Sequence, residues 1–109
     1  MKSEQVYLEQ IKDSVKKIRA FTNGMNYKQF SVDQKTQSAV IMQLTLIGEL
    51  AKKLSQETRS KIDLPWREIT GFRDRAIHDY YQIDVGIVWQ TVTDDLNILD
   101  NAIKKFLAS

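Results

Sequence analysis

The sequence predicts an all-α fold: an antiparallel four-helix up-and-down bundle, with room for a fifth, short helix. Its 109 residues include one proline and four glycines. These two residue types mark most turns, and their scarcity therefore favours long helices. Apolar residues recur at spacings of three and four along several segments, which is the period of an amphipathic helix. No segment alternates between apolar and polar residues as a strand does, so we expect one helical domain, residues 1–109.

The first and last helices follow from clear apolar stripes. The first is predicted from about Ser3 to Thr22, before Asn23-Gly24, which tolerates a left-handed backbone. The last is predicted from about Val85 to Leu107, with Asp84 as its N-cap. The residues expected to face the interior are Leu8, Ile11, Val15 and Ile18 in the first helix, and Val88, Thr91 or Val92, Asp95, Leu99, Ala102, Ile103 and Phe106 in the last.

A long second helix is predicted from about Val32 to Ser55. The segment from Ser31 to Gln34 fits a capping box, in which the two end residues satisfy each other's backbone amides. Tyr27 and Phe30, just before it, are interpreted as an aromatic plug over one end of the core. The inward stripe is Thr36, Val40, Leu44, Ile47, Ala51 and Leu54, and the apolar surface is widened by Ala39, Ile41, Met42 and Leu46. A helix apolar on more than one side is central to its domain or shared with a second subunit, which favours a homodimer.

The polar segment from Gln56 to Leu64 is predicted to be a loop or a frayed turn, and Pro65 suits the first turn of a third helix. That helix is expected to turn Trp66, Ile69, Phe72, Arg73, Ala76 and Ile77 toward the interior. Gly71 costs this helix about 1 kcal/mol relative to alanine. Close packing against another backbone would explain the glycine.

Composition excludes several classes of protein. The chain has no cysteine, no apolar run near the ~20 residues that span a bilayer, and a charged N-terminal segment unlike a signal peptide. We therefore expect a cytoplasmic protein without membrane contact. A net charge of +2 is too small to attract nucleic acid to the whole surface, so any guidance of RNA would come from Lys52, Lys53, Arg59, Lys61 and Arg67.

The segment from Gly71 to Tyr81 contains the only histidine of the chain, among arginines, aspartates and tyrosines. Histidine exchanges protons near neutral pH, and the guanidinium of arginine binds phosphate. This combination suggests chemistry on a phosphodiester; the alternative is an ordinary helix end with surface charges. On an ideal helix Arg73 and His78 point roughly 140° apart. They converge only if the helix ends near Asp79 or if two copies of the segment meet, whereas Arg75 lies on nearly the same face as His78.

Other sites lack support in the sequence. A di-iron bundle needs paired Glu-x-x-His segments, and the spacing around one histidine does not indicate a zinc site. A Gly-rich phosphate loop is also absent. We therefore expect neither a metal nor a cofactor.

The pattern Arg73-x-x-x-x-His78-x-Tyr80 resembles the R-x-x-x-x-H-x-Y signature of HepT-type toxins, a branch of the HEPN-domain ribonucleases. Further segments resemble the same family in the same order, over roughly residues 33 to 99. They are Lys35-Thr36-Gln37-x-Ala39-Val40, Ile47-Gly48-Glu49, Ala51-Lys52-x-Leu54, Pro65-Trp66 and Ile83-Asp84-x-x-Ile87-Val88-Trp89. Leu50 departs from the family, in which a small residue is more usual.

The resemblance implies a HEPN-like helical dimer that cleaves RNA without a metal ion. The arginine and histidine of both subunits would converge on one cleft. His78 would act as general acid or base on the ribose 2′-hydroxyl or the leaving oxygen, and Arg73 would stabilise negative charge on phosphorus. Glu49 or Asp79 would serve as a supporting residue, orienting an arginine or His78 respectively, although Glu49 could equally be a solvated charge.

The resemblance also implies a type VII-like toxin–antitoxin pair, in which a minimal nucleotidyltransferase antitoxin adds AMP to the motif tyrosine, Tyr80. The added charge and bulk would block a site built for an RNA phosphate. Tyr81 supplies a second phenol and leaves open which hydroxyl is modified. The alternative function is a non-catalytic helical module that binds a nucleotide or the nucleotidyltransferase.

Overall fold

Helix α3 (Gln34–Lys52) is the central element of the bundle. It packs on α1 (Lys2–Thr22) on one side and on α5 (Trp66–His78) on the other. The structure is a computed structural model that describes residues 2–109, with side chains from residue 4 onward. A last long helix consists of α6 (Val85–Gln90), a π-helical segment (Thr91–Asp95) and α7 (Leu96–Ala108), and α7 packs on α1.

Two short helices join the long ones. Helix α2 (Tyr27–Val32) packs on α3 and α6, and α4 (Gln56–Ser60) follows α3. A 3₁₀ turn (Tyr80–Gln82) follows α5. The described residues include no strand, so the all-α prediction is confirmed, with two short extra helices rather than one. No helix in this part of the chain is both long and apolar enough to cross a bilayer.

The predicted stripes of the first two helices form the core. The buried members are Leu8, Ile11, Val15 and Ile18 of α1, with Val40, Leu44, Ile47 and Ala51 of α3 and Leu54 just after it. Phe30 of α2 is fully buried and its ring lies 5.0 Å from that of Trp89. The aromatic plug is therefore confirmed for Phe30, whereas Tyr27 is exposed.

The predicted start of the second helix was wrong. Helix α3 begins at Gln34, because the Asp33 carboxylate accepts a hydrogen bond from the Thr36 backbone amide and so caps the helix. Ser31 lies inside α2, where its hydroxyl donates to the Lys28 carbonyl. Aspartate is at least as good an N-cap as serine. The break at Asp33 separates α2 from α3.

Three further expectations were wrong. The segment predicted as a loop or a frayed turn from Gln56 to Leu64 contains α4, which Ser55 caps by accepting the Thr58 amide. In the last helix Leu96 is buried and Asp95 is exposed, because the wider turns of the π-helical segment shift the buried face. Ile77 of α5 is 51% exposed rather than interior.

Candidate active site

Gly48 allows α3 and α5 to approach closely at the point where the Arg73 side chain extends from α5. A Cβ atom at residue 48 would lie 2.5 Å from the Arg73 Cβ and 2.9 Å from the Ile69 carbonyl oxygen. No side chain larger than a hydrogen fits there without moving a helix. At Gly71, in contrast, such a Cβ would have no described atom within 4 Å apart from its chain neighbours and the backbone of its own helix. The expectation of close packing at Gly71 is therefore wrong within one chain, and Gly48 is the glycine that positions Arg73.

The Arg73 guanidinium lies at the centre of a network of ion pairs between α3 and α5. Its Nε donates to Glu49 Oε2 at 2.6 Å and its Nη1 to Asp74 Oδ1 at 3.1 Å. Lys52 Nζ donates to the same Asp74 oxygen at 2.6 Å. The Arg73 side chain is 24% exposed, so it is not fully enclosed by the network.

Hydrogen bonds in this network favour the charged forms of Arg73 and Asp74. Hydrogen bonds first to Glu49 and then to Asp74 raise the pKa of Arg73 above its ordinary value. Hydrogen bonds first from Lys52 and then from Arg73 lower the pKa of Asp74. Glu49 thus orients Arg73 across the bundle, which is the first of the two alternatives considered for it.

His78 is the last residue of α5. The Asp79 amide still donates to the Arg75 carbonyl at 2.8 Å, and the chain then leaves the helix. The His78 side chain is exposed, and within residues 4–109 it makes no hydrogen bond or ion pair, including with Asp79. One chain therefore holds Arg73 in the network but does not bring His78 to it.

Tyr80 and Tyr81 follow in the 3₁₀ turn with very different surroundings. The Tyr80 hydroxyl lies 3.5 Å from Ser38 Oγ on α3, and Tyr80 is 43% exposed. Tyr81 is 96% exposed, and its ring meets that of Tyr80 edge-on. Only Tyr80 is therefore anchored to the bundle.

An apolar groove lies between α5 and the last helix, on the side of α5 away from Glu49. We call it the α5–α7 groove; its volume is about 420 Å³. Its walls are Leu44, Ile47, Leu64, Pro65, Glu68, Ile69, Phe72, Arg75, Ile87, Thr91, Asp95, Leu96, Ile98 and Leu99. Arg75 therefore faces this groove rather than the network around Arg73.

The other predicted basic residues have different surroundings. Lys52 is paired with Asp74, and Lys53 lies 5.4 Å from the centre of the Tyr7 ring. Arg59 is partly buried, while Lys61 and Arg67 are exposed. No group of three or more metal-ligating side chains is placed to hold an ion in the part of the chain with described side chains.

Comparison with known proteins decides the family. A family model described as "Ribonuclease HepT-like" matches residues 11–106. The chain belongs to the HepT-like ribonuclease family. This confirms the resemblance drawn from Arg73, His78 and Tyr80. No solved structure matches the chain.

Two relatives match almost the whole HepT-like chain. A protein of Thermococcus cleftensis named "Probable ribonuclease HepT" is 37% identical over 105 residues, covering 95% of this chain and 96% of its own. "Putative RNase TTE0752" of Caldanaerobacter subterraneus subsp. tengcongensis is 32% identical over 108 residues, covering 98% of this chain and 96% of its own.

Sequence reasoning missed two features of the HepT-like site. Gly48 lies inside an apolar helix, where a glycine is unfavourable unless another backbone approaches it closely. Its position therefore indicated close packing, but that argument was applied only to Gly71. The pair between Lys52 and Asp74 joins residues 22 positions apart. No local spacing predicts such a pair.

Proposed function

We propose that this protein is a ribonuclease toxin that cleaves RNA as a homodimer and is inhibited when a partner nucleotidyltransferase adds AMP to Tyr80. The observation that carries the proposal is the Arg73 guanidinium. Its Nε donates to Glu49, and its other edge is free to bind a ligand. It lies on the helix that ends at His78, in a chain of the HepT-like ribonuclease family.

Arg73 is assigned to the scissile phosphate. Glu49 takes Nε and Asp74 takes one side of Nη1, while no hydrogen bond among the described side chains engages Nη2. The Nη1–Nη2 edge can therefore bind two phosphate oxygens, a geometry that suits arginine. As negative charge builds on these oxygens in the transition state, the fixed guanidinium stabilises it.

His78 is assigned to proton transfer. One imidazole takes the proton of the ribose 2′-hydroxyl while the 2′-oxygen attacks phosphorus, and the bond to the 5′-oxygen breaks. The leaving 5′-oxygen takes its proton from solvent, so one imidazole serves each cleavage. The products are a 2′,3′-cyclic phosphate and a 5′-hydroxyl.

The test is RNA cleavage by purified variants. Arg73→Ala and His78→Ala should each lose cleavage, with unchanged circular dichroism and oligomeric state. Lys105→Ala is the control, since it removes an exposed cation from α7, and should keep cleavage. Full cleavage by His78→Ala would overturn the assignment.

The homodimer is proposed because one chain leaves His78 separate from the Arg73 network. The outward face of α5 carries His78 and the open Gly71, and it borders the α5–α7 groove through Arg75. A second copy seated there would cover Ile98, which is 59% exposed, and would place its own α5 beside His78.

Light scattering after size exclusion tests this interface. The unsubstituted protein should be a dimer, and Ile98→Glu should be a monomer with reduced cleavage. Val6→Glu, a similarly exposed apolar residue on α1, should stay dimeric. A monomeric unsubstituted protein, or dimers of Ile98→Glu, would contradict the assigned interface.

Tyr80 is the proposed site of AMP addition. Its phenolic oxygen would attack the α-phosphorus of ATP, with pyrophosphate leaving and the phenolic proton passing to solvent. Because the Tyr80 hydroxyl lies 3.5 Å from Ser38 Oγ on α3, the added phosphate would lie beside that helix, where its charge opposes binding of RNA. Intact-mass analysis with ATP and the partner enzyme should show a mass gain that Tyr80→Phe abolishes and Tyr81→Phe retains; the reverse pattern would move the site to Tyr81.

A further inference from the structure

Asp74 is shared between two cations through a single oxygen atom. Its Oδ1 accepts from Lys52 Nζ at 2.6 Å and from Arg73 Nη1 at 3.1 Å. Lys52 is the last residue of α3, whereas Asp74 and Arg73 are neighbours on α5. A lysine on another helix therefore fixes the carboxylate next to Arg73.

Lys52 is the stronger of the two partners. Its contact with the shared oxygen is shorter, and its hydrogen bond contributes most to the lowered pKa of Asp74. Arg73 in turn interacts most strongly with Glu49. The shared Asp74 oxygen thus lies nearer to Lys52 than to the guanidinium.

Loss of Lys52 would change what an incoming phosphate meets. With Lys52 present, two cations balance Glu49 and Asp74. Without it the cluster carries an excess negative charge, and Asp74 has only Arg73 left to pair with. A carboxylate and a phosphate compete for the same donor edge of a guanidinium.

We propose that Lys52 is a positioning residue for Arg73: by holding Asp74, it keeps the Nη1–Nη2 edge of the guanidinium available to an RNA phosphate. The inference rests on the proposed function, in which Arg73 binds the scissile phosphate. It differs from the expectation that Lys52 merely guides RNA, because its effect would pass through Asp74.

The test combines substitutions at Lys52 and Asp74. Cleavage of a fluorogenic single-stranded RNA of mixed sequence gives kcat and KM, and its 2′-O-methyl analogue, which cannot be cleaved, gives Kd. Lys52→Met should lower kcat about fivefold, the upper range for an exposed ion pair, with little change in KM or Kd. Adding Asp74→Asn should restore kcat, and Lys52→Arg should keep it.

Two control variants separate positioning from general charge. Lys52→Met with Asp63→Asn has the same net charge as the rescued variant, but Asp63 is an exposed residue outside the network. It should stay as slow as Lys52→Met. Lys105→Met removes an exposed lysine of α7 outside the network and should leave kcat unchanged. Thermal unfolding followed by circular dichroism checks that each variant is folded.

Three results would overturn the inference. These are a rise in KM and Kd with kcat intact, equal rescue by Asp63→Asn and Asp74→Asn, and unchanged kinetics in Lys52→Met. Cleavage by Arg73→Ala distinguishes a failure of the inference on Lys52 from a failure of the proposed function. If Arg73→Ala is inactive and Asp74→Asn gives no rescue, only the role of Lys52 falls; if Arg73→Ala cleaves at full rate, both fall.

Discussion

Gly48→Ala should lower the free energy of unfolding, whereas Gly71→Ala should raise it. At residue 48, a new Cβ would lie 2.5 Å from the Arg73 Cβ, about 1 Å less than ordinary carbon–carbon contact. Both atoms are anchored to backbone, so α3 and α5 must move apart. Overpacking of this kind costs about 3 kcal/mol, and the better helix propensity of alanine offsets about 1 kcal/mol. Gly48→Ala should therefore lose about 2 kcal/mol in the free energy of unfolding.

Gly71→Ala is the matched control, because it gains the same propensity in an open position. It should gain about 1 kcal/mol within the folded chain. Urea unfolding and thermal melting by circular dichroism measure both, and 1 kcal/mol corresponds to roughly 4–8 °C in the melting temperature. A Gly48→Ala variant as stable as the unsubstituted protein would refute the argument that Gly48 sets the distance between the two helices.

Two further predictions concern single side chains. The Thr36 amide lowers the pKa of Asp33, so its cap stabilises the protein above the unfolded pKa of about 3.9 and is lost as pH falls through the folded pKa. Asp33→Asn, which caps without titrating, should reduce the loss of stability in acid; an identical acid profile would show that the cap does not matter. Asp100 is buried and accepts from Arg19 at 3.0 Å, so Asp100→Ala should cost about 1–3 kcal/mol in urea unfolding, and no loss would contradict that pairing.

Periodicity predicted most of the fold because it reflects burial along a regular helix. Leu8, Ile11, Val15 and Ile18 obey the 3.6-residue repeat and are all buried. It failed where the repeat itself changes. The π-helical segment buries Leu96 in place of Asp95, and a pattern based on ideal turns cannot show that change.

The sequence indicates candidate site residues but not their arrangement. Motif spacing led to Arg73 and His78, and helix geometry showed that one continuous helix would point them apart. Glu49, which pairs with Arg73, and Lys52, which pairs with Asp74, come from α3 through tertiary contacts. Neither propensity nor spacing carries information on contacts of that kind.

Complementation between two inactive variants tests the central claim most directly. Arg73→Ala and His78→Ala are mixed under conditions that exchange subunits, and mass spectrometry confirms the mixed dimers. Each mixed dimer retains one Arg73 and one His78 on different chains. If the two groups meet across the interface, RNA cleavage reappears in the mixture. Confirmed mixed dimers that leave RNA intact would contradict a site shared between two copies.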